Sequence, residues 1–440
     1  MIEQKSWGII GGGILGMTLA LRLRNEGHKV TIFESASKAG GLTSSWDMDG
    51  IVWDRFYHVI LMSDLNTRKI LSEIGLENDI NWVETKTGFY SGGKLYSMSN
   101  IFEFFKFPPI NLIDKFRLGL TIFVASKITD WQKLEKVHVA DWLTRWSGKQ
   151  VFEKIWLPLL KAKLGENYKN TSAAFIWSTI QRMYAARKSG LKKEMFGYVS
   201  GGYNVINEKF ARHLIQIGVE FKLNSVVSLV EPKENGNIGI KAGDIVYEFN
   251  QVISTLSPSQ SVNIAQSLPE YEKDKHRNVK YLGVICPSVL LSKAISHYYV
   301  TNITDTGTPF TGIIEMTALI DKKKELKGKN LVYLPKYVNQ DDSLFESSDT
   351  EIRKIFLGTL LKMYPQLSES DVLYFGVAKA RVVFALPTIG YSESLPGIQT
   401  SIDNFFIVNS AQIINGTLNV NETIQVAESK LKEILEKNGL

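Results

Sequence analysis

Residues 6–34 read SWGIIGGGILGMTLALRLRNEGHKVTIFE, and the order of signals inside them decides the fold. Trp7 to Ile10 is a short apolar run ending in glycine, as a buried parallel strand requires. Gly11 permits a tight turn out of that strand. Gly13 removes a side chain where a pyrophosphate must approach the backbone, and Gly16 lets the next helix press against the sheet. That helix, predicted over Ile14 to Asn25, carries Leu15, Leu19 and Leu23 on one face and stops at Gly27. Its first turn, with Ile14 and Leu15, points free N–H groups and the positive end of the helix dipole at the phosphates. Lys29 to Glu34 is the second strand, and Glu34 stands where a carboxylate accepts bonds from a ribose. An acid there disfavours a 2′-phosphorylated cofactor. A dinucleotide site is therefore expected; which dinucleotide is left open by these residues alone.

The segments that follow narrow the choice. After Glu34 comes Ser35-Ala-Ser-Lys38-Ala-Gly40-Gly41-Leu42-Thr43, a second glycine pair just beyond the ribose acid. Residues 403–430 read DNFFIVNSAQIINGTLNVNETIQVAESK: a buried strand at Phe405 to Val408, a polar turn, then a helix running towards the C-terminus. Between them, GYVSGGY at 197–203 leads into a helix at Val205 to Leu214, then to GVEFKLNSVV, and a strand at 251–258 reads QVISTLSP.

These four segments resemble, in order, the FAD-binding segments of the FAD-dependent amine oxidase, protoporphyrinogen oxidase and phytoene desaturase superfamily, with UDP-galactopyranose mutase a more distant relative. The resemblance implies an α/β fold. A Rossmann-like FAD domain assembled from discontinuous segments would carry a mixed-sheet substrate domain and a helical lobe. It implies FAD as the cofactor, with Ser35, Lys38, Gly40, Gly41, Leu42 and Thr43 running along the ribose, the pyrophosphate and one edge of the flavin. Leu42 stands where many members have arginine. Val226 would lie against the adenine, and Thr255 would sit at the exit of the third strand. Asn409, Ser410, Val420, Asn421 and Thr423 would close the site. Asn409 and Ser410 replace the glycine and the acid or alanine usual in the family, and VNETI at 420–424 is most similar to the protoporphyrinogen oxidase branch.

The expected organisation is five segments: FAD domain at 1–64, helical substrate lobe at 65–196, FAD domain at 197–262, mixed-sheet substrate domain at 263–387, FAD domain at 388–440. The chain has 440 residues, 44% hydrophobic and 22% charged, ordinary values for a globular protein of two or three lobes. No apolar run reaches the roughly 18–20 residues that span a bilayer. The early first strand leaves no room for a signal peptide, and the single cysteine, Cys286, excludes an internal disulfide, so a cytoplasmic location is expected. The six histidines lack metal-ligand spacing, and no metal is expected. Net charge is +6 without a nucleic-acid motif, so the expected partners are a small-molecule substrate and, by peripheral contact, a membrane. The basic run from Arg182 to Lys193 reads as a solvated helix face or a phosphate contact. The apolar stretch Leu118 to Ala125 reads as lobe core, substrate channel or membrane face.

Flavin oxidation needs a donor carbon held over the ring with water excluded, so no obvious catalytic dyad is expected. His58, in Asp54-Arg-Phe-Tyr-His58, is the candidate polar group beside the ring, able to exchange protons near neutral pH. Phe56 there replaces a glycine usual in the family. Tyr337, Arg381 and Tyr391 are candidate walls and anion anchor, arginine by its bidentate fork. The expected activity is that of an oxidase, dehydrogenase or desaturase. It would take hydride from a C–N or C–C bond and pass electrons to oxygen or a quinone. The alternatives are a non-redox flavin isomerase and a scaffold that no longer holds FAD.

Overall fold

Strand Ser6–Ile10 lies between Lys29–Phe33 and Gln251–Ser254, and the sheet is completed by Glu220–Lys222 on one edge and Phe405–Ile407 on the other. All four pairings are parallel. This computed structural model describes residues 4–99, 101–188, 195–414 and 416–437. The central strands are apolar on both faces because both faces are covered. One face packs on helices Ile14–Asn25, Gly202–Gln216 and Val420–Lys437, through Met17, Leu19, Phe210, Leu214 and Leu431. The other is covered by an antiparallel meander, Val227–Pro232, Ile238–Ala242 and Ile245–Phe249, whose Phe249 and Tyr247 meet Phe33 edge-on. Arg22 ties three segments together: it forks onto Glu73 at 2.6 and 2.9 Å and reaches Glu428 through Nε at 2.9 Å.

A second sheet of eight strands stands over the carboxyl ends of the first. Its spine is Tyr281–Leu291, buried along its whole length and paired antiparallel with Val372–Ala385, Lys336–Asn339 and Asn330–Tyr333. The far edge holds Thr87–Ser91 and Lys94–Ser97, which join through Val300–Ile303. These two strands fall in the segment expected to be helical, so the 65–196 segment is mixed: residues 87–97 belong to the roof sheet, while helix Leu65–Glu73 packs against Val420–Lys437 beside the first sheet. The hairpin has a readable signal, alternating residues on either side of Gly92-Gly93. Likewise Ile80–Glu84 pairs with Met195–Val199, fastening this segment to the strand that leads into helix Gly202–Gln216.

The rest of that segment is the helical lobe. Helices Leu112–Lys127, Val139–Ser147 and Ala173–Lys188 close around Trp142, Leu143, Phe175 and Trp177. A π-helical turn at Phe152–Trp156 interrupts the helical run from Lys149 to Leu164. Of the basic run 182–193, residues 189–193 lie outside the described residues. Among the described residues no helix is long and apolar enough to cross a membrane, and no group of three or more metal-ligating side chains gathers. Cys286 is buried in the roof, where burial pushes its thiol pKa up.

Candidate active site

The site begins where strands 6–10 and 29–33 end. Gly11 turns out of the sheet at φ +109°, donating its N–H to Phe33 O at 2.8 Å. The Thr255 hydroxyl and N–H both donate to Ile10 O, at 2.8 and 2.9 Å, pinning the third strand to this turn. Gly16 is required by space: a Cβ there would stand 2.0 Å from Gly11 O. No side chain caps the helix that starts at Ile14, so its first turn with Leu15 presents backbone N–H groups at the mouth of the sheet.

Glu34 lies across that mouth. Its carboxylate accepts from Gly12 N and Ala36 N, both at 2.8 Å, and from the Ser35 hydroxyl at 3.2 Å. The second glycine pair folds back onto the first: Gly40 N donates to Gly12 O at 2.9 Å. A Cβ on Gly13 would meet only Gly41 Cα, at 3.9 Å. Bare backbone thus faces bare backbone, a cradle that side chains would fill. Thr43 is buried and shares hydrogen bonds with Asn207, whose amide donates to Thr43 O at 2.9 Å. Leu42 is partly exposed beside it. Val226 is exposed, next to the acid, because Ser225 N and Asn224 N donate to Glu34 O and Ala36 O. Lys38 turns outward to Glu208 at 3.1 Å.

In the closing segment the side chains are spent on the protein itself. Asn409 Oδ1 accepts from Ala411 N at 3.0 Å and its amide donates to Leu256 O at 3.0 Å. Asn421 Oδ1 accepts from Asn66 N at 2.9 Å, capping helix Leu65–Glu73. Thr423 donates its hydroxyl to Asn419 O at 2.8 Å, and Ser410 Oγ lies 3.3 Å from Tyr281 Oη. A ligand here is left with backbone groups, such as those around Val420 at the helix start.

Beside the glycine pair, Arg55 N donates to Ser44 O and carries strand Val52–Asp54 into the centre of the molecule. Asp54 is buried; its carboxylate accepts from Tyr203 N at 2.8 Å, and its backbone O accepts from the Tyr333 hydroxyl at 2.6 Å. Burial pushes its pKa well above the usual carboxylate value. His58 Nδ1 bonds Phe56 O at 2.9 Å, and a carbonyl only accepts, so Nδ1 carries the proton and Nε2 is the free acceptor. Burial lowers the His58 pKa to about 4, so it is neutral at pH 7 rather than titrating there as expected. A cavity of about 10 Å³, room for one water, is lined by Asp54, His58, Gly202, Tyr203 and Met316.

Tyr57 Oη meets Tyr337 Oη at 2.9 Å, which joins the roof to this centre. The Lys163 ammonium sits 3.2 Å from the centre of the Tyr337 ring and 5.4 Å from that of Phe384. Sequence reasoning passed over Lys163 and Asn207: each reaches the site from a helix distant in sequence, with no local motif. Tyr391 is buried and donates to Ala411 O at 2.9 Å, a structural tie. Arg381 is not brought to the site. It lies exposed on the far face of the roof, bonded to Gln340 O and Glu346 and stacked over Phe345. A larger surface hollow, about 470 Å³, opens at the amino ends of the strands around Ser6, Lys29 and Glu220. Ligands of parallel sheets sit at the opposite, carboxyl end.

Residues 16–411 match the family of flavin containing amine oxidoreductases. The chain belongs to that family. Its cofactor is therefore FAD, and the glycine cradle and Glu34 fit it. Over 250 residues the chain is 24% identical to the zeta-carotene desaturase of Synechocystis sp., a match covering 51% of this chain and 50% of that protein. It thus spans about half the length of the curated relatives it matches. In structure it is similar to an oxidoreductase from Methanosarcina mazei, with a TM-score of 0.76 at 18% identity over 97% of this chain and 100% of the other. It is also similar to putrescine oxidase bound to putrescine, with a TM-score of 0.73 at 17% identity over 99% of each chain. At such identities these two likenesses speak for the fold.

Proposed function

We propose that this protein oxidises a C–N or C–C single bond of a small, largely apolar molecule that carries one anionic group: hydride leaves the C–H carbon and a proton leaves the neighbouring atom, giving C=N or C=C. The observation that supports the reading is the Lys163 ammonium 3.2 Å over Tyr337, whose hydroxyl is bonded to Tyr57 beside His58. Aromatic faces bind apolar carbon skeletons, and a cation set among them, with no carboxylate partner among the described residues, attracts one negative charge. The Gly11–Gly16 turn, Glu34 and Gly40–Thr43 would hold FAD, which would supply a two-electron hydride acceptor with oxygen or a quinone as the final oxidant. The protein's own part is to position and to dry the donor. Tyr57, Tyr337 and Phe384 shape the wall. His58, neutral with Nε2 free, accepts a hydrogen bond at a fixed point. Asp54, protonated more readily than a free carboxyl, keeps charge out of the centre.

The test is anaerobic mixing of the purified flavoprotein with candidate donors. Bleaching of the visible flavin bands by an acidic apolar donor supports the reading. Lys163→Met is expected to raise KM for that donor at least about tenfold with a smaller change in kcat. If no donor bleaches the flavin, and turnover instead appears only after dithionite reduction with no net redox change, the isomerase reading replaces this one.

A further inference from the structure

We infer that helix Leu112–Lys127, with the neighbouring helix Ile101–Lys106, is a docking face for the surface of an anionic lipid bilayer. At about 100° per residue, Asp114, Leu118, Thr121 and Ala125 fall on one side of the longer helix. That side is buried, and the helix packs on Val139–Ser147 and Ala173–Lys188. Ile113, Phe116, Leu120 and Phe123 fall on the opposite side, and their relative exposures run from 49% to 69%. The stretch read from sequence as lobe core, substrate channel or membrane face is thus buried on one helix face and exposed on the other. Phe102, 77% exposed, and Phe105 extend the patch, and the Phe105 and Phe116 rings are 5.7 Å apart. Single exposed apolar residues are ordinary; a continuous aromatic stripe on two adjacent helices is not.

The charges around the stripe select the occupant. Lys106, Arg117 and Lys127 are positive, and among the described residues none of them is paired with a carboxylate. Lys127 reaches over the Phe123 ring at 5.5 Å, which places a cation at the rim of the apolar surface. Lys154 is held close by, donating to Pro109 O at 3.1 Å. An aromatic stripe with a basic rim is the chemistry that lies in the headgroup region of anionic lipid. In a two-fold contact between copies the same rim would oppose like charges. The helix is 16 residues, about 24 Å long, so it lies in the interface rather than crossing it. This inference is independent of the substrate reading.

The experiment is co-sedimentation of the purified holoprotein with vesicles of equal parts phosphatidylcholine and phosphatidylglycerol, against pure phosphatidylcholine. The expected result is binding to the anionic vesicles, weakened by added salt. Phe116→Ser with Phe123→Ser should weaken it roughly tenfold or more. Ile245→Ser, on an exposed strand of the meander, should leave it unchanged. Flavin absorbance retained in each variant shows that it is folded. Failure of the wild type to sediment with anionic vesicles overturns the inference, as does undiminished binding by the double variant. Light scattering without lipid is the further check. A dimer that the double substitution dissolves would assign the face to a second copy instead.

Discussion

At Gly16 a single added methyl would have to occupy space 2.0 Å from Gly11 O. Gly16→Ala is therefore expected to push the helix off the turn. The purified variant should lack the flavin spectrum and fail to regain it with added FAD, while its far-ultraviolet circular dichroism remains that of a folded α/β protein. His58 makes a prediction about acid. The unfolded chain protonates near 6.5, but burial holds the folded residue down to about 4, so stability is lost as pH falls between those values. At 1.36 kcal/mol per pH unit, the wild type should lose roughly 3 kcal/mol more than His58→Gln across that window in urea unfolding curves. Asp54 acts with the opposite sign: its raised pKa adds stability as pH falls. Both proteins retain it, so the difference between them isolates the histidine. Arg381→Ala should leave kcat and KM unchanged, since the guanidinium faces away from the site. Sequence could name that arginine but not its direction. The pairing of 281–291 with 372–385 slips between Leu282 and Val284, opposite Arg381, and such an irregularity re-aims side chains.

Among elements, legibility followed locality. The first strand, the helix Ile14–Asn25 and the second strand were readable because glycine turn, periodicity and acid all lie within one short stretch. The meander at 227–249 and the hairpin at 87–97 were not read, although their turns carry glycine at Gly236, Gly243, Gly92 and Gly93. Their strands are only four to six residues long and largely unburied, so neither carries an apolar run long enough to stand out. Asn421 shows the limit more sharply. Its neighbours match a cofactor-closing motif, yet its side-chain oxygen caps a helix 355 positions earlier in the chain. Asn421→Ala should cost about 1 kcal/mol of stability in chemical denaturation, the usual value of an N-cap. Alanine keeps the backbone of the closing turn, so flavin content should be retained.

Over the whole molecule, long-range ties matter more than any single helix. Arg22 joins the first helix to Glu73 and Glu428, and its side chain is only 18% exposed. Arg22→Met should destabilise by about 2 kcal/mol, because two partly buried carboxylates are left without their cation. Thermal release of flavin and global unfolding should shift downward together, since the arginine ties together three segments that pack on one face of the sheet. The order of that sheet carries a further consequence. From the edge at 220–222 the sheet runs 29–33, 6–10, 251–254 and 405–407. A nascent chain on the ribosome can thus display its glycine turn early and pair strand 251–254 with 6–10, yet has no partner for the outer edge of 251–254 until residue 407 has emerged. During synthesis the edge of 251–254 stays bare, a place where another growing chain could pair wrongly. Completing strand 405–407 both seals that edge and finishes the groove, so cofactor loading reports that this strand has joined the sheet.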